Sequence, residues 1–100
     1  VIVKDNEIIA EGVNSMNEDF DPSAHAEIQA IRGACKKLET TTLDGCDVYA
    51  IGMPCPMCTT CLILSKPNRI IYAVDADAKE IFIKGAVPGR PGTYVEVKGV

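Results

Sequence analysis

The chain has 100 residues, of which 47% are hydrophobic and 24% are charged, and its net charge is −4. This length and composition predict a single globular domain over residues 1–100. The acidic pI of about 4.8 weighs against a large RNA partner, because nucleic-acid binding needs basic side chains that displace counterions from phosphates. No apolar run approaches the roughly 20 residues of a membrane-spanning helix, and no signal peptide is recognisable, so we expect a cytoplasmic protein without membrane contact.

The N-terminal residues predict an antiparallel β-hairpin. Residues 1–4 and 8–13 are rich in β-branched side chains, and they flank a polar run of turn-forming residues at 5–7. Residues 14–20 are polar and show no periodicity, which indicates a loop.

A first helix is predicted after this loop. Asp21 and Pro22 offer an N-cap and a proline at the first helical position, and apolar residues then recur at three- and four-residue spacing as far as Leu38. We therefore expect His25 and Glu27 in the first turns of this helix.

A strand, a helix and a second strand are predicted next. Residues 47–51 have the composition of a strand, a helix runs from about Pro56 to Ser65, and Pro67 ends it. Residues 69–74 read as a buried strand, and a strand, helix and strand in succession imply a parallel pair with a right-handed crossover. The two helix starts then meet at one edge of the sheet, where α/β proteins place their sites.

The last quarter of the chain is less clearly patterned. Residues 75–80 can start a third helix, residues 81–83 fit either a helix end or a strand, and residues 87–92 form a loop before a last strand at 93–98. The elements together predict an α/β fold whose mixed sheet has about five strands.

One histidine and two cysteines have the spacing of a zinc site. A structural zinc is closed by four protein ligands, whereas His25, Cys55 and Cys58 make three and leave a position for water. Two thiolates and a neutral imidazole also balance the charge of Zn²⁺. Glu27 lies too close to His25 to bind the same ion comfortably, so we interpret it as the proton carrier of a hydrolytic reaction.

Two motifs of the chain resemble the zinc-binding motifs of the cytidine-deaminase-like superfamily, and they occur in the same order. They are residues 21–27 and residues 53–58. The resemblance extends over residues 1–74 and is strongest to the guanine deaminase and tRNA adenosine deaminase branches. It implies a three-layer α/β/α fold, a Zn²⁺ cofactor and hydrolytic deamination of a nucleobase. Guanine, converted to xanthine with release of ammonia, is the first expectation, because residues 21–27, 30–32 and 54–58 look most like those of guanine deaminases. The acidic chain also suits a small purine base or nucleoside. Conversion of adenosine to inosine in tRNA is the alternative, since that branch shares nearly all these residues.

The same comparison suggests where substrate is contacted. Asn14 falls where the family keeps a base-binding asparagine, although a turn residue is the alternative. Ala26 leaves room beside the zinc ligand, and the backbone around Pro54 faces the same site. Phe20 either stacks on a base or serves as a lid or core anchor. Met53 departs from the family, which commonly has glutamate at that position.

Both ends of the chain also differ from the family pattern. The helix that usually precedes the hairpin and the closing C-terminal helix are not recognisable, so the sequence looks like a truncated domain with a divergent tail. Sheet surface left uncovered in this way predicts association with a second copy, as a homodimer. A non-catalytic zinc domain is the alternative to an enzyme.

Other uses of the five cysteines stay open at this point. Cys55 and Cys58 also fit the redox motif of thioredoxin-like proteins. Together with Cys61 they have the C-x₂-C-x₂-C spacing that begins a ferredoxin-type iron–sulfur motif, although Ser65 occupies the position of the fourth cysteine. Otherwise Cys61 either packs in the second helix or lines the pocket, and Cys35 and Cys46 are expected to be structural.

Overall fold

A computed structural model of the chain describes residues 1–74, 77–84 and 94–100. Its elements, in chain order, are β1 (Ile2–Lys4), β2 (Glu7–Ala10), α1 (Ala26–Leu38), β3 (Cys46–Ile51), α2 (Pro56–Ser65), β4 (Arg69–Val74), β5 (Asp77–Lys84) and β6 (Tyr94–Gly99). The strands form one mixed sheet in the order β2-β1-β3-β4-β5-β6. The predicted α/β class is confirmed.

The predicted hairpin is formed by β1 and β2, which pair antiparallel. Two residues, Asp5 and Asn6, connect them with φ values of 52° and 62°. Two successive positive φ angles match the right-handed twist of paired strands, and Asp and Asn tolerate this conformation better than most residues do.

The only parallel pair among the described strands is β3 with β4, which run side by side from Asp47 opposite Arg69 to Ile51 opposite Ala73. Helix α2 connects them, so the predicted strand–helix–strand unit is confirmed. Because the two strands run the same way, the segment that leaves β3 emerges at the carboxyl edge of the sheet. That segment carries Cys55.

Both helices contribute to one core on one face of the sheet. Four apolar side chains lie opposite one another in neighbouring strands and form a row across this face: Ile2, Val48, Ile70 and Ile81. Ile31 and Ala34 of α1 and Leu62 of α2 are buried in the same cluster. The two helices also contact each other directly.

The opposite face of the sheet is largely open in the described part of the chain. Tyr49 and Ile51 alternate with the core residues of β3, so they point away from the helices. Tyr49 is 40% exposed and Ile51 is fully exposed. The described residues thus account for two of the three layers that the family resemblance implies.

The third helix predicted near residue 75 is wrong where residues are described. Asp77–Lys84 is strand β5, which pairs with β4 on one side and β6 on the other, so the described residues form a sheet of six strands. Pairing on both edges satisfies the backbone of this segment and overrides its weak local preference for a helix. The last strand is confirmed at Tyr94–Gly99. Residues 75 and 76 and the predicted loop at 87–92 lie outside the described residues.

The predicted start of α1 is also wrong, since the helix begins at Ala26 rather than at Pro22. The Asp21 carboxylate accepts hydrogen bonds from the backbone N–H of Ser23 at 2.9 Å and from its hydroxyl at 2.7 Å. These bonds close a local turn that competes with helix formation. His25 is consequently the N-cap, in an extended conformation with ψ 155°.

Helix α2 occupies Pro56–Ser65, as predicted. It begins with proline at its first position and ends where Lys66 takes a left-handed conformation just before Pro67. Neither α2 nor any other described helix has the length and apolar character needed to cross a membrane.

Candidate metal centre

The start of α2 presents two thiols on one side of the helix. Cys55 is the N-cap, and its sulfur accepts a hydrogen bond from the backbone N–H of Cys58 at 3.4 Å. Pro56 fixes the turn between them. The free N–H groups and positive dipole end of a helix stabilise negative charge, so this is a favourable place for thiolates.

His25 faces both sulfurs from the start of α1. Its Nδ1 lies 3.6 Å from the sulfur of Cys55 and 3.6 Å from the sulfur of Cys58. A tetrahedral zinc with Zn–S of about 2.3 Å and Zn–N of about 2.0–2.1 Å separates its sulfur and nitrogen ligands by about 3.6 Å. The three side chains therefore already have the spacing of a zinc site.

Without a metal, the two thiols differ in their affinity for protons. The hydrogen bond from the Cys58 N–H lowers the pKa of Cys55. Burial, followed by its contacts with Cys55 and Glu27, raises the pKa of Cys58 to about 12. The site thus favours one negative charge on its own, and a bound divalent cation would have to displace the proton of Cys58.

The ligand set fits zinc better than the other interpretations of these cysteines. Within the described ranges, His25, Cys55 and Cys58 are the only group of three or more candidate ligands close enough to share an ion. Cys61 is not part of this group, which disfavours an iron–sulfur site. All five cysteines are free, and an imidazole beside both thiols is not required by a redox dithiol.

Glu27 lies next to these ligands and lines a cavity. Its carboxylate is close enough to Cys58 for its negative charge to help raise the pKa of that thiol. The cavity has a volume of about 340 Å³ and lies between the start of α1 and the end of β3. The residues that line it are Val1, Gly12, Ala26, Glu27, Ala30, Val48, Tyr49, Ala50 and Ile51. Tyr49 and Ile51 lie at its border, since their side chains point toward the open face of the sheet. Glu27 is thus the one lining residue with a charged side chain, and most of the others are apolar.

The predicted substrate contacts are not all at this cavity. Ala26 belongs to its lining, whereas Asn14, Phe20 and Pro54 do not. The Asn14 side chain is exposed and accepts a hydrogen bond from the Met16 N–H at 3.1 Å, which is the turn role given above as its alternative. Phe20 is 93% exposed, and Pro54 is buried.

Several cavity residues were missed by the sequence analysis. Val48 and Ala50 follow the two-residue period of β3 toward the helix side, so alternation in the strand could have indicated them. Gly12 and Ala30 meet only through the packing of α1 on the end of the hairpin, and no local pattern reports such a contact. The remaining cysteines are structural as expected, with Cys46 in the core and Cys35 and Cys61 packed against it.

A mixed α/β sheet with a His-Cys-Cys site between two helix starts and a glutamate beside it defines a zinc-binding domain of the nucleobase deaminase class. The model of the family described as the cytidine and deoxycytidylate deaminase zinc-binding region matches residues 1–74, and the chain belongs to that family. The predicted superfamily and its zinc cofactor are therefore confirmed.

Two kinds of relative are similar to this chain at comparable levels. A guanine deaminase of Bacillus subtilis (strain 168) is 48% identical over 81 residues, which cover 80% of this chain and 52% of that protein. A tRNA-specific adenosine deaminase of Aquifex aeolicus is 45% identical over 73 residues, which cover 73% of this chain and 48% of that protein. The chain thus spans about half the length of these curated relatives.

Solved structures give the same pair of similarities. The crystal structure of the guanine deaminase from Bacillus subtilis superimposes with a TM-score of 0.71 at 48% identity, covering 74% of this chain and 47% of that one. A structure from work on A-to-I editing by tRNA:A34 deaminases at the wobble position gives a TM-score of 0.68 at 38% identity, covering 72% and 55%. The fold assignment agrees with both.

Proposed function

We propose that the protein catalyses the hydrolytic deamination of a purine base, guanine before others, with Glu27 as the proton carrier. The observation that carries the proposal is the position of Glu27, which lies close enough to Cys55 and Cys58 for its charge to act on both thiols and which lines the cavity. Zinc, when bound there, supplies a Lewis acid that brings the pKa of water toward neutrality.

The residues of the chain account for the proton transfers of this reaction. Water adds to the ring carbon that bears the amino group, the carbon–nitrogen bond breaks, and ammonia leaves. Glu27 accepts a proton from the water and donates one to the departing nitrogen, which requires one carboxylate within reach of both. The mostly apolar residues around Glu27 strengthen these interactions.

The size of the cavity supports a small substrate. Its volume of about 340 Å³ is near the lower end of the roughly 300–1,000 Å³ usual for ligand pockets. The small side chains of Ala26, Ala30 and Ala50 leave this space. A free base or a nucleoside suits it better than a large polyanion.

The distribution of charge supports the same conclusion. Five described cations lie at the sheet edge and helix ends opposite the metal site, namely Lys4, Lys36, Lys37, Lys66 and Arg69. Helix α1 alone has 13 residues, which separates its two ends by about 20 Å. The loop before α1 is acidic instead, with Glu18, Asp19 and Asp21. A phosphate backbone near the cavity would therefore meet repulsion.

A tRNA-specific adenosine deaminase is the second candidate, since the similarity to the Aquifex protein is nearly as high as that to the guanine deaminase. A zinc domain without activity is the third, because Asn14 is turned to solvent and Met53 departs from the family pattern.

The three candidates are separated by measuring ammonia release with zinc-loaded protein. The substrates are guanine, adenine, cytosine, their nucleosides and a tRNA anticodon stem-loop. We expect release from guanine. Release from the stem-loop alone would favour the tRNA enzyme, and no release from any substrate would favour the inactive domain.

Glu27→Gln tests the role of the carboxylate. We expect the rate to fall by about 10²–10⁴-fold, the usual contribution of a general acid–base, while bound zinc stays at the level of the parent protein. Glu18→Gln is the control, since Glu18 is an exposed acid in the preceding loop. Equal activity of Glu27→Gln and the parent would rule out the proposed proton carrier.

A further inference from the structure

We infer that Gly12 is a positioning residue for the metal centre, because its lack of a side chain lets the end of the hairpin hold the first turn of α1 in place. The inference rests on the proposed zinc site but not on which base is deaminated. Gly12 follows β2 and lies outside the sequence motifs of the site.

The contact that carries this inference is between backbones. A Cβ atom added to Gly12 would lie 1.9 Å from the carbonyl oxygen of Ala26 and 2.7 Å from the backbone nitrogen of Ala30. Ordinary contact begins at about 3.4 Å, so one of the two segments would have to move by more than 1 Å. Neither contact is with a flexible side chain that could turn aside.

Glycine is required at position 12 because there is no room for a side chain, and not because of the backbone conformation. The described glycines with positive φ are Gly45 and Gly52, and Gly12 is not among them. Alanine could therefore adopt the backbone angles of Gly12. The cost of a side chain at this position is steric and falls on the start of α1.

A second contact ties the same segment to the same turn. The backbone N–H of Ser15 donates to the carbonyl of Ala24 at 2.9 Å, and the Ser15 hydroxyl accepts from the Gln29 side chain at 2.8 Å. Residues 12–15 thus contact the chain just before His25, at Ala24, and the first turns of α1 around Glu27. We call residues 12–15 the exit segment.

The exit segment matters because the metal ligands come from two separate helices. His25 belongs to the start of α1, while Cys55 and Cys58 belong to the start of α2. A functional zinc site needs its ligand distances within about 0.2 Å, so a shift of α1 by 1 Å separates the imidazole from the sulfurs. The same shift moves Glu27 relative to the substrate, and a misplacement of 1 Å can cost about 10²-fold in rate.

Gly12→Ala tests the inference, and Gly33→Ala is its matched control. A Cβ on Gly33 meets only the Ala10 side chain, at an ordinary 3.6 Å. Each protein is titrated with Co²⁺, whose visible absorption reports a tetrahedral sulfur–nitrogen site, and with Zn²⁺ by competition. We expect Gly12→Ala to weaken metal binding by at least tenfold and to reduce the tetrahedral absorption, while Gly33→Ala keeps the affinity and spectrum of the parent.

Gly12→Ala can also be measured in the Gly33→Ala background, which is more stable because alanine favours the helix interior. This background keeps the test informative if the single variant folds poorly. A folded double variant with the cobalt spectrum and affinity of the parent overturns the inference. So does a double variant that cannot fold, because Gly12 would then serve the fold as a whole.

Deaminase activity gives an independent readout. With an active parent, we expect kcat of Gly12→Ala to fall by about 100-fold with little change in KM. An inactive parent would contradict the proposed function alone, since the metal titrations would still decide the role of Gly12.

Discussion

At the scale of single residues, the turn before α1 depends on the charge of Asp21. The two hydrogen bonds from Ser23, followed by the nearby Arg32 guanidinium at 3.9 Å, hold the pKa of Asp21 below its usual value of 3.8. A carboxyl group whose pKa is lowered by folding stabilises the folded state above its unfolded pKa. That contribution is lost as the pH falls through the lower, folded pKa.

Asp21→Asn tests this dependence. We expect the variant to be less stable than the parent at pH 7 and the difference to shrink as the pH falls through the lowered pKa of Asp21, because the carboxyl group is then protonated in both states. Chemical denaturation at a series of pH values measures it, with Glu18→Gln as a control for loss of an exposed charge. A difference that persists unchanged to low pH would mean that the charge of Asp21 is not the cause.

Residue identity could be predicted at the metal centre because the chemistry of the ligands is specific. One histidine and a C-x-x-C pair have few joint uses, so the sequence alone indicates His25, Cys55 and Cys58 as ligands. Asn14 and Phe20 could not be placed with the same certainty, because loop polar and aromatic residues have many roles. The role of Gly12 could not be predicted, because local sequence does not indicate where two backbone segments approach each other closely.

At the scale of the elements, both helices end in a left-handed residue that is not glycine. Lys66 closes α2 with φ 53°, and Glu39 closes α1 with φ 54°. This conformation brings the Cβ atom of an L-residue too close to the neighbouring carbonyl. Glycine has no such conflict, which is why it is common at this position.

Lys66→Gly should therefore stabilise the protein. We expect a gain of about 0.5–1 kcal/mol in the free energy of unfolding, after allowing for the greater freedom of glycine in the unfolded chain. Lys37→Gly is the matched control, because Lys37 lies within α1 and the same change there should cost about 1 kcal/mol. Urea denaturation of both variants checks the opposite signs, and destabilisation by both would contradict the argument.

An element could be predicted where the residues at its ends and the pattern of its apolar residues indicated the same structure. Helix α2 has proline at both ends, and the hairpin has turn formers between β-rich runs. Strand β5 was missed because its residues favour no single structure and its neighbours β4 and β6 decide its conformation. The start of α1 was misplaced because the Asp21 side chain caps a turn rather than the helix.

At the scale of the whole molecule, the open face of the sheet predicts self-association. Ile51 is fully exposed and Tyr49 is 40% exposed on the side of β3 that the described helices leave uncovered. Exposed apolar surface of this kind favours contact with a second copy. The homodimer expected from the sequence stays a prediction that this face makes testable.

Ile51→Lys should reduce the association. We expect sedimentation of the parent to depend on protein concentration and that of Ile51→Lys to shift toward the monomer, because a desolvated charge opposes burial of the face. Leu64→Lys is the control, since Leu64 is 60% exposed on α2, away from the open face. Equal behaviour of the two variants would locate the contact elsewhere.

The separation of the ligands along the chain bears on how the protein is recovered from denaturant. Cys55 and Cys58 are neighbours even in the unfolded polypeptide, but His25 is 30 residues from Cys55 along the chain and is brought to the sulfurs by folding. Until then the two sulfurs are accessible to air and can oxidise. Reductant must therefore be present from the first dilution out of denaturant. The yield of protein that can bind zinc should depend more on the concentration of reductant than on the time at which zinc is added.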